Sequence, residues 1–272
     1  IRDRDVTGVQ TCALPILKLY SFGPGANSLK PLATLYEKGL EFEPVFVDPA
    51  KFEQHSDWFK AINPRGQVPA LWHDGKVVTE STVICEYLED VFPEAGTSLR
   101  PADPFKRAEM RVWTKWVDEY FCWCVSTIGW AFGIKAIAQK MTDEEFEDHV
   151  TNKVTIPEQQ VKWRRARNGF PQEMLDEEFR KVAVSVARLE ETLSKQDYLV
   201  DSGFSLADIC NFAIANGLQR PGGFFQDYVS PQKTPGLCAW LDRVNERPAI
   251  REMFAKAKRE ELLKDADKKV QA

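Results

Sequence analysis

The chain has 272 residues, of which 43% are hydrophobic and 28% charged, the balance of a globular protein with room for one large domain or two modest ones. A net charge of −5 and a pI near 5.5 argue against a surface built for nucleic acid or for an anionic membrane. No uncharged apolar run approaches the roughly 18 residues that a membrane-spanning helix needs.

Residues 6–16, VTGVQTCALPI, read like the translation of a sequencing adapter. Residues 1–16 are therefore set aside as a non-native leader, expected to be disordered, with the protein proper starting near Leu17. A secretory signal would need a basic flank and a longer apolar core. From Leu17 the texture changes. LKLYSF reads as a strand and GPGAN as a turn. Ser28 then sits where an N-cap belongs, before the helical pattern Leu29, Leu32, Leu35 and Tyr36, with Gly39 placed to end it. Residues 42–47, FEPVFV, form a second strand whose Pro44 predicts an edge position. After a partly helical stretch (52–63), Val68–Trp72 and Lys76–Thr79 make a hairpin about Asp74-Gly75. Ser81 caps a helix from Thr82 to Val91.

The order βαβ then ββα over residues 17–93 predicts a small α/β layer. Residues 94–104 are proline-rich and read as a linker. Residues 105–264 show helical periodicity only, in segments Phe105–Gln139, Ile156–Ser194 (broken near Gly169-Phe170-Pro171), Ser205–Gln219 and from Pro235 onward, which predicts an all-α second domain. Residues 265–272 form a charged tail. Of the cysteines (Cys12, Cys85, Cys122, Cys124, Cys210, Cys238) most lie in apolar helical patterns. Cys122 and Cys124, two apart, share no helix face, so neither a metal site nor a disulfide framework is expected. Free thiols suit a reducing cytoplasm.

Three places could carry chemistry. Val68-Pro69 puts a proline in a strand-like run, either at an edge with a trans bond or in a cis turn that turns the Val68 backbone outward. Glu80-Ser81 opens a helix, whose N-terminus favours a carboxylate while the Glu favours an ammonium. Together they suit an amino-acid head group. Ser28, a cap first of all, could also donate to an anion such as a thiolate.

These residues carry a resemblance. The strand, turn and Ser28 helix, then Asn63-Pro64-x-Gly66-x-Val68-Pro69-Ala70-Leu71, then Glu80-Ser81-x-x-Ile84-x-x-Tyr87-Leu88, resemble the thioredoxin-like domain of the glutathione transferases. Ser205-x-x-Asp208 looks like the N-capping box of their helical domain, and Arg247-Pro248-Ala249 also fits. Within that superfamily, LKLYSFGPGANSLKPLATLYEKGLEF, CWCVSTIGWAFGIKAIAQKM and WRRARNGFPQEMLDEEF resemble the glutathione-dependent enzymes that cleave β-aryl ethers of lignin-derived keto-ethers, the β(S)-type β-etherases. The helical part is longer than usual, with the surplus around residues 140–180.

The resemblance implies glutathione as co-substrate, with Val68 and Pro69 pairing its cysteinyl backbone and Glu80 and Ser81 holding its γ-glutamyl group. His55, with Gln67 and Lys51 behind it, is the candidate for the glycyl carboxylate. Ser28, with Asn27 beside it, matches the thiol-activating position, and Tyr20 is a weaker candidate. A free thiol of pKa about 8.5 is only ~3% ionised at pH 7. Lowering it two units makes it about three-quarters thiolate, within reach of one hydroxyl and a helix N-terminus. Trp113, Trp116, Tyr120, Phe121, Trp123, Trp130 and Phe132 supply core and, in part, a wall for an aromatic second substrate. The thiolate would displace a phenol to give a thioether, with Arg164, Arg165 or a water serving the departing phenoxide. A homodimer is implied. The alternatives are a maleylacetoacetate-type isomerase, a dehalogenase, or a non-catalytic binding module.

Overall fold

The computed structural model describes residues 17–49, 51–220 and 223–256; the expectations for the leader and the tail lie outside these. Strand β1 (Leu17–Ser21) alternates buried and half-buried residues, and helix α1 (Ala26–Glu37) follows. β2 (Phe42–Phe46) lies parallel to β1 at the sheet edge, where Pro44 needs no ladder partner. A single 3₁₀ turn (Glu53–His55) and the short α2 (Asp57–Lys60) lead to the hairpin of β3 (Ala70–His73) and β4 (Lys76–Thr79). The sheet order is β2-β1-β3-β4, with β3 antiparallel to both neighbours. α3 (Ser81–Val91) closes this half. β3 starts at Ala70 and not at Val68, because the proline before it cannot donate to the ladder.

The helical half opens with α4 (Pro104–Ala138), a rod of 35 residues. Asp103 caps it through the Lys106 N–H, and Pro104 occupies the first turn, where its missing N–H costs nothing. Two π-helical turns, Val117–Phe121 and Trp130–Ile134, interrupt the rod and shift which side chains face inward. As one continuous helix it is long and apolar enough to cross a membrane by length and composition, although its uncharged stretch runs only from residue 120 to 134. In this fold it packs on α7 and α8.

Then come α5 (Asp143–Asp148), extended by a π turn (His149–Lys153), α6 (Pro157–Asn168) and α7 (Gln172–Leu193). The expected break at Gly169 falls between α6 and α7. α5 was not anticipated, although Thr142 and Glu145 form a reciprocal capping box whose spacing is visible in the sequence. α8 (Leu206–Ala215) carries the expected box of Ser205 and Asp208. The last pattern divides into α9 (Pro235–Asn245) and α10 (Pro248–Lys256) at Pro248.

One main core runs through both halves, from Leu17 and Leu19 through Ile84 and Leu88 to Phe121, Ile209 and Trp240. A second, small core lies in the surplus segment: Ala138, Phe146, Val150, Val154, Trp163 and Ala166, with Phe52 and Trp130 packed against it. Phe52 belongs to the other half, so the surplus segment docks onto the loop that follows β2.

Candidate active site

Strand register brings three separate sequence signals to one end of the sheet. Tyr20 pairs with Ala70, and Ala70 with Thr79. One step further along each strand, Ser21 leads into α1, Pro69 ends the 51–69 loop, and Glu80 begins α3. Such a sheet end is where open α/β folds hold ligands.

The Val68–Pro69 bond is cis, the second of the two geometries left open by the sequence, and Val68 stands outside the ladder. Two capping expectations need correction. The N-cap of α3 is Glu80, with Ser81 its buried first residue. The N-cap of α1 is Gly25, in extended conformation, so Ser28 is the third residue of the helix. Its N–H donates to the Gly25 carbonyl at 3.0 Å. The Ser28 side chain is 0% exposed, and Oγ has no hydrogen-bond partner, an uncommon state for a buried hydroxyl. Glu80 adopts φ 68°, ψ 115°, a strained region for a residue with a Cβ, and its carboxylate is exposed. A carboxylate with no partner among the described residues, a helix N-terminus and an orphaned hydroxyl suit a ligand with an ammonium, a carboxylate and an anionic sulfur.

The residues expected for the ligand's far end behave differently. His55 is only 5% exposed. It lies against His149, with ring centroids 5.3 Å apart, and under Gly66. At φ +62° and that close, a Cβ on Gly66 would stand 2.9 Å from Gln54 O and 3.0 Å from His55 Nδ1. Burial, with the neighbouring His149 and Lys60, pushes the His55 pKa down to about 4. At neutral pH His55 is therefore a hydrogen-bond donor and not the cation considered from sequence. Gln67 Oε1 accepts from Arg65 Nε at 3.4 Å, and its carbonyl accepts from Asn63. Lys51 is exposed, 4.0 Å from Asp48. Tyr20 packs edge-on to Phe59 at 6.2 Å. A cavity of about 660 Å³ between α1, β2 and α10 takes in none of Asn27, Ser28, Val68, Glu80 or Ser81.

Two family models match the chain: the N-terminal domain of glutathione S-transferase over residues 15–90 and its C-terminal domain over 121–248. Protein LigF of Sphingobium sp. (strain NBRC 103272 / SYK-6) is 88% identical over 254 residues, spanning 93% of this chain and 99% of its own length. This chain is a glutathione S-transferase. The crystal structure of beta-etherase LigF from Sphingobium sp. strain SYK-6 superposes with a TM-score of 0.87 at 90% identity, covering 88% of this transferase and 99% of that chain. A glutathione transferase homologue from sulfitobacter, solved with bound glutathione, shares the fold at 23% identity and a TM-score of 0.63, over 89% and 98% of the two chains. The transferase uses glutathione as co-substrate.

Across from Ser28 stands α4. Cys122 Sγ donates to Asn27 Oδ1 at 3.6 Å, directly after the first π turn, and Lys30 Nζ pairs with Asp118 at 2.5 Å inside that turn. Burial raises the Cys122 thiol above its ordinary pKa, so it is a neutral donor here and no rival nucleophile. Of the aromatic cluster, Trp113 and Phe121 are buried in the main core and Trp116 packs against it. Trp113 and Trp116 meet edge-on at 5.5 Å with the Arg188 guanidinium 4.4 Å from each ring, Phe121 is fully buried, and Tyr120 stacks on Trp116. Phe132 stacks on Phe224 at 4.6 Å. Trp123 is 54% exposed, and Trp130 meets Trp163 edge-on at 5.2 Å. Both lie on α4 after Cys122, and Trp130 packs against the small core of the surplus segment. The two arginines considered for the leaving group are engaged within the surplus segment: Arg164 with Glu147 and Thr151, Arg165 with the Met174 sulfur. Sequence reasoning missed Cys122 and Lys30, because only the fold brings α1 against α4.

Proposed function

We propose that this transferase cleaves β-aryl ethers of lignin-derived keto-ethers, with glutathione thiolate displacing the phenol at the carbon next to the ketone. The observation that carries this reading is the match to LigF, a beta-etherase, over 99% of that chain. The site agrees with it in chemistry. Ser28 and Asn27 stabilise the thiolate, Val68 and Pro69 meet the cysteinyl backbone, and Glu80 and Ser81 hold the γ-glutamyl group. Gln67 and a neutral His55 donate towards the glycyl end. The indoles of Trp123 and Trp130 face an aromatic substrate.

Incubation with glutathione and a racemic β-aryl keto-ether tests the reading, with phenol followed in solution and the residual ether on a chiral column. One hand of the ether should disappear, with one phenol and one glutathione thioether formed per turnover. Absence of phenol release, with turnover of a halogenated or maleyl substrate instead, would replace it by one of the other transferase chemistries.

The working form we propose is a cytoplasmic homodimer. The five described cysteines are all free, as a reducing compartment permits. Exposed apolar side chains lie on β4 (Val77), α3 (Val83, Val91) and α4 (Phe105, Val112). These elements adjoin, since Arg111 of α4 grips Glu86 of α3 through two 3.1 Å hydrogen bonds. Exposed apolar side chains on adjoining elements suit a self-complementary contact.

A further inference from the structure

α6 places a cation against α4, on two indoles that follow Cys122 in that helix, and none of the glutathione contacts proposed above uses it. Lys162 Nζ lies 4.5 Å from the centre of the Trp123 ring and 6.0 Å from that of Trp130. It makes no ion pair or hydrogen bond among the described residues. The charged and titratable groups that act on it are Cys122 on α4 and Glu178 on α7. Glu178 is already taken up by Lys181 at 3.1 Å. Cys122 is the residue whose thiol touches Asn27, next to Ser28. A half-buried ammonium in a structural role takes a carboxylate partner. Lys162 has instead two indole faces, which offset part of its desolvation and leave its N–H groups available to a ligand.

We propose that Lys162 is the acid of the ether cleavage, its ammonium handing a proton to the aryloxide oxygen as the carbon–oxygen bond breaks. This rests on the ether-cleaving reading above. The glutathione sulfur forms a bond to the β-carbon with its own electron pair, and the carbon–oxygen pair leaves on the aryloxide. The Lys162 proton makes it a neutral phenol, and the amine regains a proton from water, so no oxidant or reductant enters. Burial lowers the Lys162 pKa from its ordinary range, against the pull of Cys122 and Glu178. An acid closer to the working pH transfers its proton more effectively. Trp123 and Trp130, which hold the ammonium, also offer their faces to the aryl ring that carries the leaving oxygen.

The test compares Lys162→Gln with the wild type on two ethers of the same ketone. One releases guaiacol, the other 4-nitrophenol, whose anion leaves without help. Loss of the acid should lower kcat on the guaiacyl ether by about a hundredfold and leave the nitrophenyl ether within about threefold. Equal losses on both ethers, or no loss on either, would overturn the proposal while the wild type still cleaves them. A wild type that cleaves neither ether would sink the ether-cleaving reading itself. Should Lys162→Gln fail to melt cooperatively, Lys162→Arg keeps the charge and the ring contacts but yields no proton. It should show the same selectivity, with about a tenfold loss or more on the guaiacyl ether alone, and wild-type rates on both would again refute the proposal.

Discussion

Ser28, the residue proposed to activate the thiol, carries a cost in stability. Its hydroxyl is buried without a partner, a state worth about 1–3 kcal/mol against the fold. Ser28→Ala should therefore leave the glutathione-free protein unchanged or about 1 kcal/mol more stable in thermal melts. In the glutathione complex it should raise the thiol pKa by about one to two units, the worth of one hydrogen bond to an anion, read by ultraviolet titration of the thiolate. kcat/KM at neutral pH should drop about 10- to 100-fold without vanishing, since the first-turn N–H groups and Asn27 remain. A less stable variant with an unshifted thiol would remove Ser28 from this role. Glu80 shows the same pattern in its backbone, with a strained φ of 68° at an exposed carboxylate. Both residues were legible as motifs, but their positions were not. A serine just ahead of a helical pattern fits the N-cap and the first turn equally well, and what separates them is whether the preceding residue is extended. Gly25 is extended, and that moved Ser28 inward.

Among the elements, the surplus helices α5 and α6 have the clearest measurable consequence. Their small core encloses His149, whose ring lies 4.3 Å from Phe52 and 5.1 Å from Trp163. Burial pushes its pKa down to about 4, as for His55. A histidine kept neutral in the fold but free to protonate when unfolded, near pH 6.5, contributes stability that is complete above that value. That contribution is lost as the pH falls towards 4. Between pH 7.5 and 5.5 each such ring should cost about 1.4 kcal/mol. Urea melts of His149→Phe and wild type should therefore differ in pH slope by that amount, and parallel slopes would show that His149 is not held neutral. Periodicity alone marks α6, whereas α5 is too short to show one and is signalled only by its Thr142–Glu145 capping box. The docking of their core on Phe52 and His55 is marked by neither, because it depends on residues far apart in sequence. The π turns of α4 were equally invisible, since a π turn keeps the composition of the helix around it and changes only its phase.

For the molecule as a whole, the proposed self-association is a question of one face. If β4, α3 and α4 meet their copies, the wild type should sediment as two chains of 31.1 kDa each. Phe105→Asp, which buries a charge at that contact, should sediment as one chain with its melting behaviour otherwise intact. Identical masses for the two proteins would place any interface elsewhere. The division into a sheet half and a helical half was readable from the change in periodicity, whereas the single core shared by both was not. α1 is where they merge. It packs on α3 but also on α8 and α10; its Lys30 reaches Asp118, and its Glu37 is held by Arg247 in a fork at 2.6 and 2.7 Å. For anyone building chimaeras, the proline-rich connector is thus a misleading place to cut. A foreign helical partner joined there would leave a lysine and a glutamate stranded without counter-charges, so a workable graft must import the matching aspartate and arginine with it.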